Sequence, residues 1–175
     1  MTDNSSAMTD EQLYKAYCEA AFGQIHRKHL SDYNEFAKLS PGAQIVAATE
    51  EIEYQVSNGG LSQLFWNDWE VYQWLIPAAI QAYADVGAAE QAEALQKALA
   101  VFESHKETFV SIRFHGSISS SKNSEAWQDA AQGLYVPQDE WPFFDDRFDA
   151  LAKLKGAYLR SLPTSAWDDR RASGP

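Results

Sequence analysis

Carboxylates are the reactive groups this sequence supplies most freely. Glu50 with Glu53, and Asp145 with Asp146, stand close enough in sequence to act as acid–base pairs of the kind that cleave glycosidic bonds. That chemistry needs two carboxyls facing each other across a cleft, which spacing along a chain does not provide, so a solvated acidic face is the plainer reading. His26 and His29, three residues apart with Cys18 two turns upstream, come nearest to a metal site. Zinc takes four converging ligands, or three and a water, and no CxxC or HExxH accompanies them, so no metal is expected. His105 and His115 stand alone, without the GxSxG or Ser–His–Asp pattern that a general base would serve. Gly59–Gly60 lacks the GxxxxGK(S/T) frame of a phosphate cradle, and its acidic surroundings would repel phosphate. Trp66, Trp69 and Trp74 would stack nucleic-acid bases only inside a positive groove, and their neighbourhood carries no base, so core packing explains them better. No catalytic residue, cofactor or direct nucleic-acid contact is expected.

The elements that would position these groups read as helices. Thr9 with Gln12 forms a capping box, and Leu13, Tyr17, Ala20, Ala21 and Ile25 recur at helical spacing to about Lys28. Ser31 can cap a short helix through Phe36. Ser40–Pro41 opens a longer one with a serine cap and proline at the first helical position. Its apolar stripe is Ile45, Ala48, Ile52 and Val56, which leaves Glu50, Glu51 and Glu53 mostly on the wet side. Asn58–Gly59–Gly60 ends that helix, and Leu61 to Trp66 forms a short aromatic turn. Pro77 is expected near the beginning of a segment from about Trp74 to Val86, closed by Gly87. Ala88 to about His105 follows, then a stretch Phe109–Phe114 that could be extended, a serine-rich loop Ser117–Ser124, and a short helix Glu125–Gln132. After a turn from Asp139 to Asp145, Asp146 to Leu162 reads as a final helix on Phe148, Leu151, Leu154, Tyr158 and Leu162. The expectation is an all-α chain with one compact domain over residues 1–162, about six to eight helices, and a loose tail over 163–175.

At 175 residues, 45% of them hydrophobic, the chain has core material enough to fold without disulfide or metal. The single cysteine, Cys18, fits a reducing compartment. The polar, acidic start from Met1 to Gln12 has no basic region followed by an apolar run, and no apolar stretch is long enough to span a bilayer. A cytoplasmic protein is expected. Its net charge of −11 says less than the way the charge is distributed. From Leu39 to Gln96 there is no lysine, arginine or histidine, yet Glu50, Glu51, Glu53, Asp68, Glu70, Asp85, Glu90 and Glu93 fall within it. Asn123 to Asp146 is likewise free of bases and holds Glu125, Asp129, Asp139, Glu140, Asp145 and Asp146. Ordinary soluble helices mix the two signs, because opposite charges four apart support each other and like charges oppose. These runs make Glu50, Glu51, Glu53, Asp68, Glu70, Glu90, Glu93, Asp139, Glu140, Asp145 and Asp146 the candidates for an acidic, partner-binding surface.

The block Asn58, Gly59, Gly60, Gln63, Phe65 and Asn67 resembles the N-G-G-x-x-Q-x-F-x-N signature of a bacterial family of DNA mimic proteins, once known only as a domain of unknown function. Leu75 to Ala82, Val86 to Ala88 and Phe144 to Leu151 are similar to it as well, so the likeness runs from about residue 40 to about residue 160. The resemblance implies a small acidic helical homodimer. Its surface would occupy the DNA-binding face of a helix-turn-helix transcription factor, or of another DNA-binding protein such as a nucleoid protein, and would keep that protein off DNA. It implies no enzymatic activity. The signature residues Asn58, Gly59, Gly60, Gln63 and Phe65 read as structural: a helix end, a tight turn and an aromatic pin. An acidic immunity or antitoxin-type module that holds a basic toxin would use the same surface, but operator DNA would not compete with it. An enzyme of unrecognised chemistry would need a concave pocket with converging polar groups.

Overall fold

The first three helices described here begin where a side chain satisfies a free backbone amide. In the computed structural model, which describes residues 8–22, 30–67, 69–115, 125–134, 142–143 and 145–163, Thr9 and Gln12 form the expected reciprocal box. Gln12 Oε1 accepts from the Thr9 amide (3.0 Å) and Thr9 Oγ1 from the Gln12 amide (3.2 Å), opening α1, Asp10–Phe22. Asp32, not Ser31, caps the short α2, Tyr33–Phe36: its carboxylate takes the Asn34 and Glu35 amides. A charged acceptor at a helix start outcompetes a hydroxyl one position earlier. Ser40 starts α3, Pro41–Asn67, by accepting from the Ala43 amide.

Within α3 the helical backbone breaks at Gly59 and Gly60. Gly60 has φ 73° and ψ −174°, a region open almost only to glycine. Gly60→Ala is therefore expected to cost about 1–3 kcal/mol in urea unfolding; a loss near zero would mean that the turn relaxes into another conformation. Side chains brace the break. Gln63 Nε2 donates to Asn67 Oδ1 (3.0 Å), and Asn67 Nδ2 reaches back over the turn to Gln55 Oε1. Gln55 Nε2 in turn donates to Glu51 (2.8 Å).

Next comes α4, Trp69–Asp85, which carries Pro77 in its interior rather than at a start, contrary to the sequence expectation. The proline removes one helical hydrogen bond, but Leu75, Ile76, Ala79 and Tyr83 on either side are fully buried, and their packing holds the helix through the defect. Gly87, at φ 80°, closes α4: the Ala88 amide bonds to the Tyr83 carbonyl (2.8 Å) and the Gly87 amide to that of Ala84 (3.1 Å). Helices α5, Ala89–Ser104, α6, Lys106–His115, α7, Glu125–Ala131, and α8, Asp145–Ser161, complete the described fold, with a 3-10 turn, Gln132–Leu134, after α7. The segment Phe109–Phe114 lies inside α6 and is helical, not extended. Packing of Phe109 between Phe102 and Trp127 overrides its local β preference. The serine-rich loop, the start of the Asp139–Asp145 turn and the tail from Thr164 lie outside the described residues.

The main core joins α3, α4 and α5, with Phe109, Trp127, Phe143 and Leu151 closing its edges. A second, smaller cluster, made of Tyr14, Tyr17, Val46, Ala152 and Leu159, holds α1 onto α8 and the first half of α3. The first half of α3 is therefore enclosed on two sides: Ile45, Ala48 and Ile52 face the main core, and Val46 faces the smaller cluster. The buried face of α8 is Leu151, Ala152, Lys155, Gly156 and Leu159. Leu154, expected on the apolar stripe, is 40% exposed, while Ala152 and Gly156, one and two positions away from that stripe, are buried against the side where α1 packs.

Candidate functional site

Two faces of α3 receive different chemistry from the same run of acids. Val46, Glu50 and Glu53 lie at i, i+4 and i+7, so they share the face turned toward α1 and α8. Glu53, expected in solvent, is buried at 9% exposure. Its partner is a base 102 residues away in sequence: Lys155 Nζ donates to Glu53 Oε1 at 2.5 Å. Lys155, 1% exposed, also donates to Glu50 Oε1 (3.3 Å) and to the Tyr14 hydroxyl (3.0 Å), which satisfies all three of its protons. Tyr14 donates its own proton to Glu50, and Lys155 sits over the Tyr14 ring, 4.8 Å from its centroid. Tyr83 donates to Glu53 Oε1 (2.8 Å) with the Thr49 carbonyl 3.3 Å away. Among the described residues no buried side-chain nitrogen or oxygen lacks a hydrogen-bond partner.

Two carboxylates against one ammonium leave this centre with one excess negative charge if both ionise. Burial is the main cause that pushes the Glu53 carboxyl above its ordinary range; Lys155 pulls it down and Glu50 adds to the rise. Burial, then the Glu50 charge, raises the Tyr14 phenol well above its usual value, and burial with Glu53 does the same for Tyr83. Cys18, half-buried at the edge of the same centre, has its thiol pushed up to about 11, mainly by burial.

The other expected surface acids are scattered among different settings. Glu51 is half-buried and accepts from Tyr72 (3.3 Å) as well as Gln55. Glu93 is exposed but pairs with Lys97 at 2.7 Å, just past the end of the base-free run, and that contact lowers its pKa. Glu70 and Glu90 are exposed in the first turns of α4 and α5. Asp145 and Asp146 are the first two residues of α8. Gln91 Nε2 donates to the Pro142 carbonyl (2.7 Å), which brings the start of α5, with Glu90, beside the start of α8. Asp68, Asp139 and Glu140 lie outside the described residues, as do His26 and His29. Exposed acids also stand at Asp85, Glu103, Glu107, Glu125, Asp129 and Asp149.

Of the tryptophans, Trp66 is buried edge-on against Trp127 (4.8 Å between centroids), and Trp74 is half-buried against Phe36 (5.1 Å). Phe65 stacks on Phe102 at 4.3 Å and 6°. The signature residues thus lie in and around the break in α3: Gly60 makes the turn, Gln63 and Asn67 brace it, Asn58 Nδ2 caps the Tyr54 carbonyl (2.9 Å), and Phe65 enters the core. Sequence reasoning missed Lys155, Tyr14 and Tyr83. One signal was available: Lys155 stands midway between Leu151 and Leu159 at i+4 and i−4, the position of a base on an apolar face.

The fold and its charges define a small all-α protein with an internally paired ionic centre and separate exposed acids on several helices. No described helix is long and apolar enough to cross a membrane. A sequence model of the DMP19-like protein family matches residues 37–162, from the end of α2 through α8, and the chain belongs to that family. No curated protein and no solved structure matches it.

Proposed function

We propose that this protein is a cytoplasmic DNA mimic that acts as a homodimer and catalyses no reaction. Its acidic surface occupies the DNA-binding face of a helix-turn-helix regulator or another DNA-binding protein. Membership in the DMP19-like family, a family of DNA mimic proteins, carries this reading. The charge pattern supports it. Exposed carboxylates on the first turns of α4 and α5, and Asp149 on α8, stand on helices, where side chains three or four apart are ~5–6 Å from each other, near the scale of neighbouring phosphates. Two copies would carry twice −11, the charge on ~37 Å of duplex at one charge per ~1.7 Å. Dimeric helix-turn-helix proteins read half-sites ~34–36 Å apart, so the charge fits the span of one such site.

Affinity capture from cell lysate at low salt, with elution by a salt gradient, tests the proposal. The expected result is recovery of a DNA-binding protein whose affinity falls at least ~10-fold between 50 and 200 mM salt and which its own operator DNA displaces. Recovery of a basic protein that does not bind DNA would favour the immunity-type module instead. A complex indifferent to salt would sink the electrostatic mechanism.

A further inference from the structure

Helix α4 ends on an acid. Asp85 is its last residue, at the end where the helix dipole is already negative, and its last turn holds no base to offset either charge. Gln81 donates to Asp85 Oδ1 (2.7 Å), which occupies one lone pair and leaves the charge in place. The carboxylate stands at one end of a groove of about 450 Å³, enclosed by α4, α2, the start of α3 and the end of α8. The α4 wall of this groove repeats at helical spacing from Gln73 to Asp85, a span of ~18 Å at ~1.5 Å per residue. Among the described residues that line it there is one acid and no base.

The two ends differ in chemistry. At one, the half-buried Trp74 is backed by the buried Phe36 and meets Tyr33 at 5.9 Å and 66°, with Tyr33 left 56% exposed. That end suits an aromatic or aliphatic side chain. At the other, Tyr158 stands near enough to Asp85 that the carboxylate, after burial, raises its phenol above the usual value. That end suits a cation. Between them lies Pro77, which has no amide hydrogen, so the Gln73 carbonyl on the same groove lacks its helical donor. An extended occupant brings backbone amides that need acceptors, whereas a helix has already satisfied its own.

We infer that this groove takes an extended, arginine-bearing arm of the DNA-binding partner, with the guanidinium on Asp85 and Tyr158 and an apolar side chain against Trp74 and Tyr33. Arginine suits the site better than lysine, because a planar guanidinium pairs with a carboxylate and stacks on a phenol ring at once. DNA-binding proteins carry extended basic arms that reach along a groove of DNA. Trp74 and Asp85 are ~16 Å apart along α4, and the ends of a five-residue extended segment are ~13 Å apart before their side chains reach outward. That the arm belongs to a DNA-binding protein rests on the mimic reading. The preference of the groove for an extended basic segment does not.

The probe is the peptide acetyl-Phe-Gly-Ser-Gly-Arg-amide, together with its reverse, which covers both chain directions, and a version with citrulline in place of arginine. Binding at low salt is followed by NMR titration of the isotope-labelled full chain, read at the α4 amides and the Trp74 indole. The variants are Asp85→Asn and Tyr33→Ala, both at exposed side chains outside the core, with Asp129→Asn on α7 as an equal loss of charge away from the groove. The inference expects saturable binding of an arginine peptide, at least ~10-fold weaker with citrulline and at least ~5-fold weaker in Asp85→Asn and in Tyr33→Ala. Asp129→Asn should change the affinity less than ~2-fold, since a distant exposed charge is screened. Equal weakening by Asp129→Asn and Asp85→Asn would overturn the inference, because net charge alone would then attract the peptide. So would shifts that miss the groove, or no saturable binding. Conversion of a dimer to a monomer in either groove variant, read by sedimentation, would overturn it by giving the groove to a second copy. For a DNA-binding protein recovered by affinity capture, weaker binding by Tyr33→Ala and Asp85→Asn supports the partner arm. Undiminished binding overturns that assignment and leaves the mimic reading standing. Failure of the wild type to capture any DNA-binding protein tells against the mimic reading and leaves the peptide result standing.

Discussion

Lys155→Met is expected to lower the unfolding free energy by about 3–5 kcal/mol at neutral pH, the cost of leaving a buried charge without its partner. Methionine nearly preserves the volume, so the loss reads the charge and not a cavity. The carboxyl left behind is Glu53, and its titration sets the pH dependence. Its folded pKa already lies above the unfolded value because of burial, and Lys155 is what holds it down. A carboxyl raised on folding favours the folded state while both states are protonated, below about pH 4, and that contribution is lost as pH rises through the folded value. Removing Lys155 raises the folded value further. The deficit of Lys155→Met relative to wild type should therefore be small near pH 4 and grow toward pH 7. Adding Glu53→Gln, which needs no counter-charge, should restore most of the neutral-pH stability, and a double-mutant cycle in urea measures the coupling. A deficit equal at pH 4 and pH 7 would show instead that the lysine stem matters through packing.

Phe65→Ala is expected to cost about 3–5 kcal/mol, as for other large-to-small changes at a buried aromatic. Phe65 is 3% exposed and stacks on Phe102, which meets Phe109 at 5.3 Å, and Phe109 meets Trp127 at 4.9 Å. Loss of the first ring therefore opens one end of an aromatic row that ties α3 to α5, α6 and α7. Phe65→Leu, which fills part of the space, should lose distinctly less. Because Phe65 faces the core, partner affinity per folded molecule should be unchanged. The measurement is urea unfolding together with binding corrected for the folded fraction. A variant that remains stable but loses binding would assign the signature block to the partner surface.

Most helices are legible in the sequence, because their signals are local. The Thr9–Gln12 box, the Ser40–Pro41 start and the Gly87 stop each act within five residues, the range over which a sequence displays its hydrogen-bond partners. Local signals misled where packing outweighed them. Pro77 reads as a boundary, but the buried residues on both sides carry the helix through it. Phe109–Phe114 could be extended by its local preference, but the aromatic row draws it into a helix.

The chemistry of the acids was legible only as composition. The sequence by itself determined an all-α chain of net charge −11, with long stretches in which no base stands near its acids along the backbone. Only the tertiary structure decided which of those acids meet a base in space. Glu93 meets Lys97 one helical turn on, whereas Glu53 and Glu50 meet Lys155 more than a hundred residues on, brought there by α8. Glu50, Glu51 and Glu53 look alike in sequence, yet α1 and α8 pack on one side of α3 and α4 on the other, so one carboxylate is buried and two are half-buried. Burial depends on which neighbours a helix acquires on each face, and a helical period shows that a face exists without showing what will cover it.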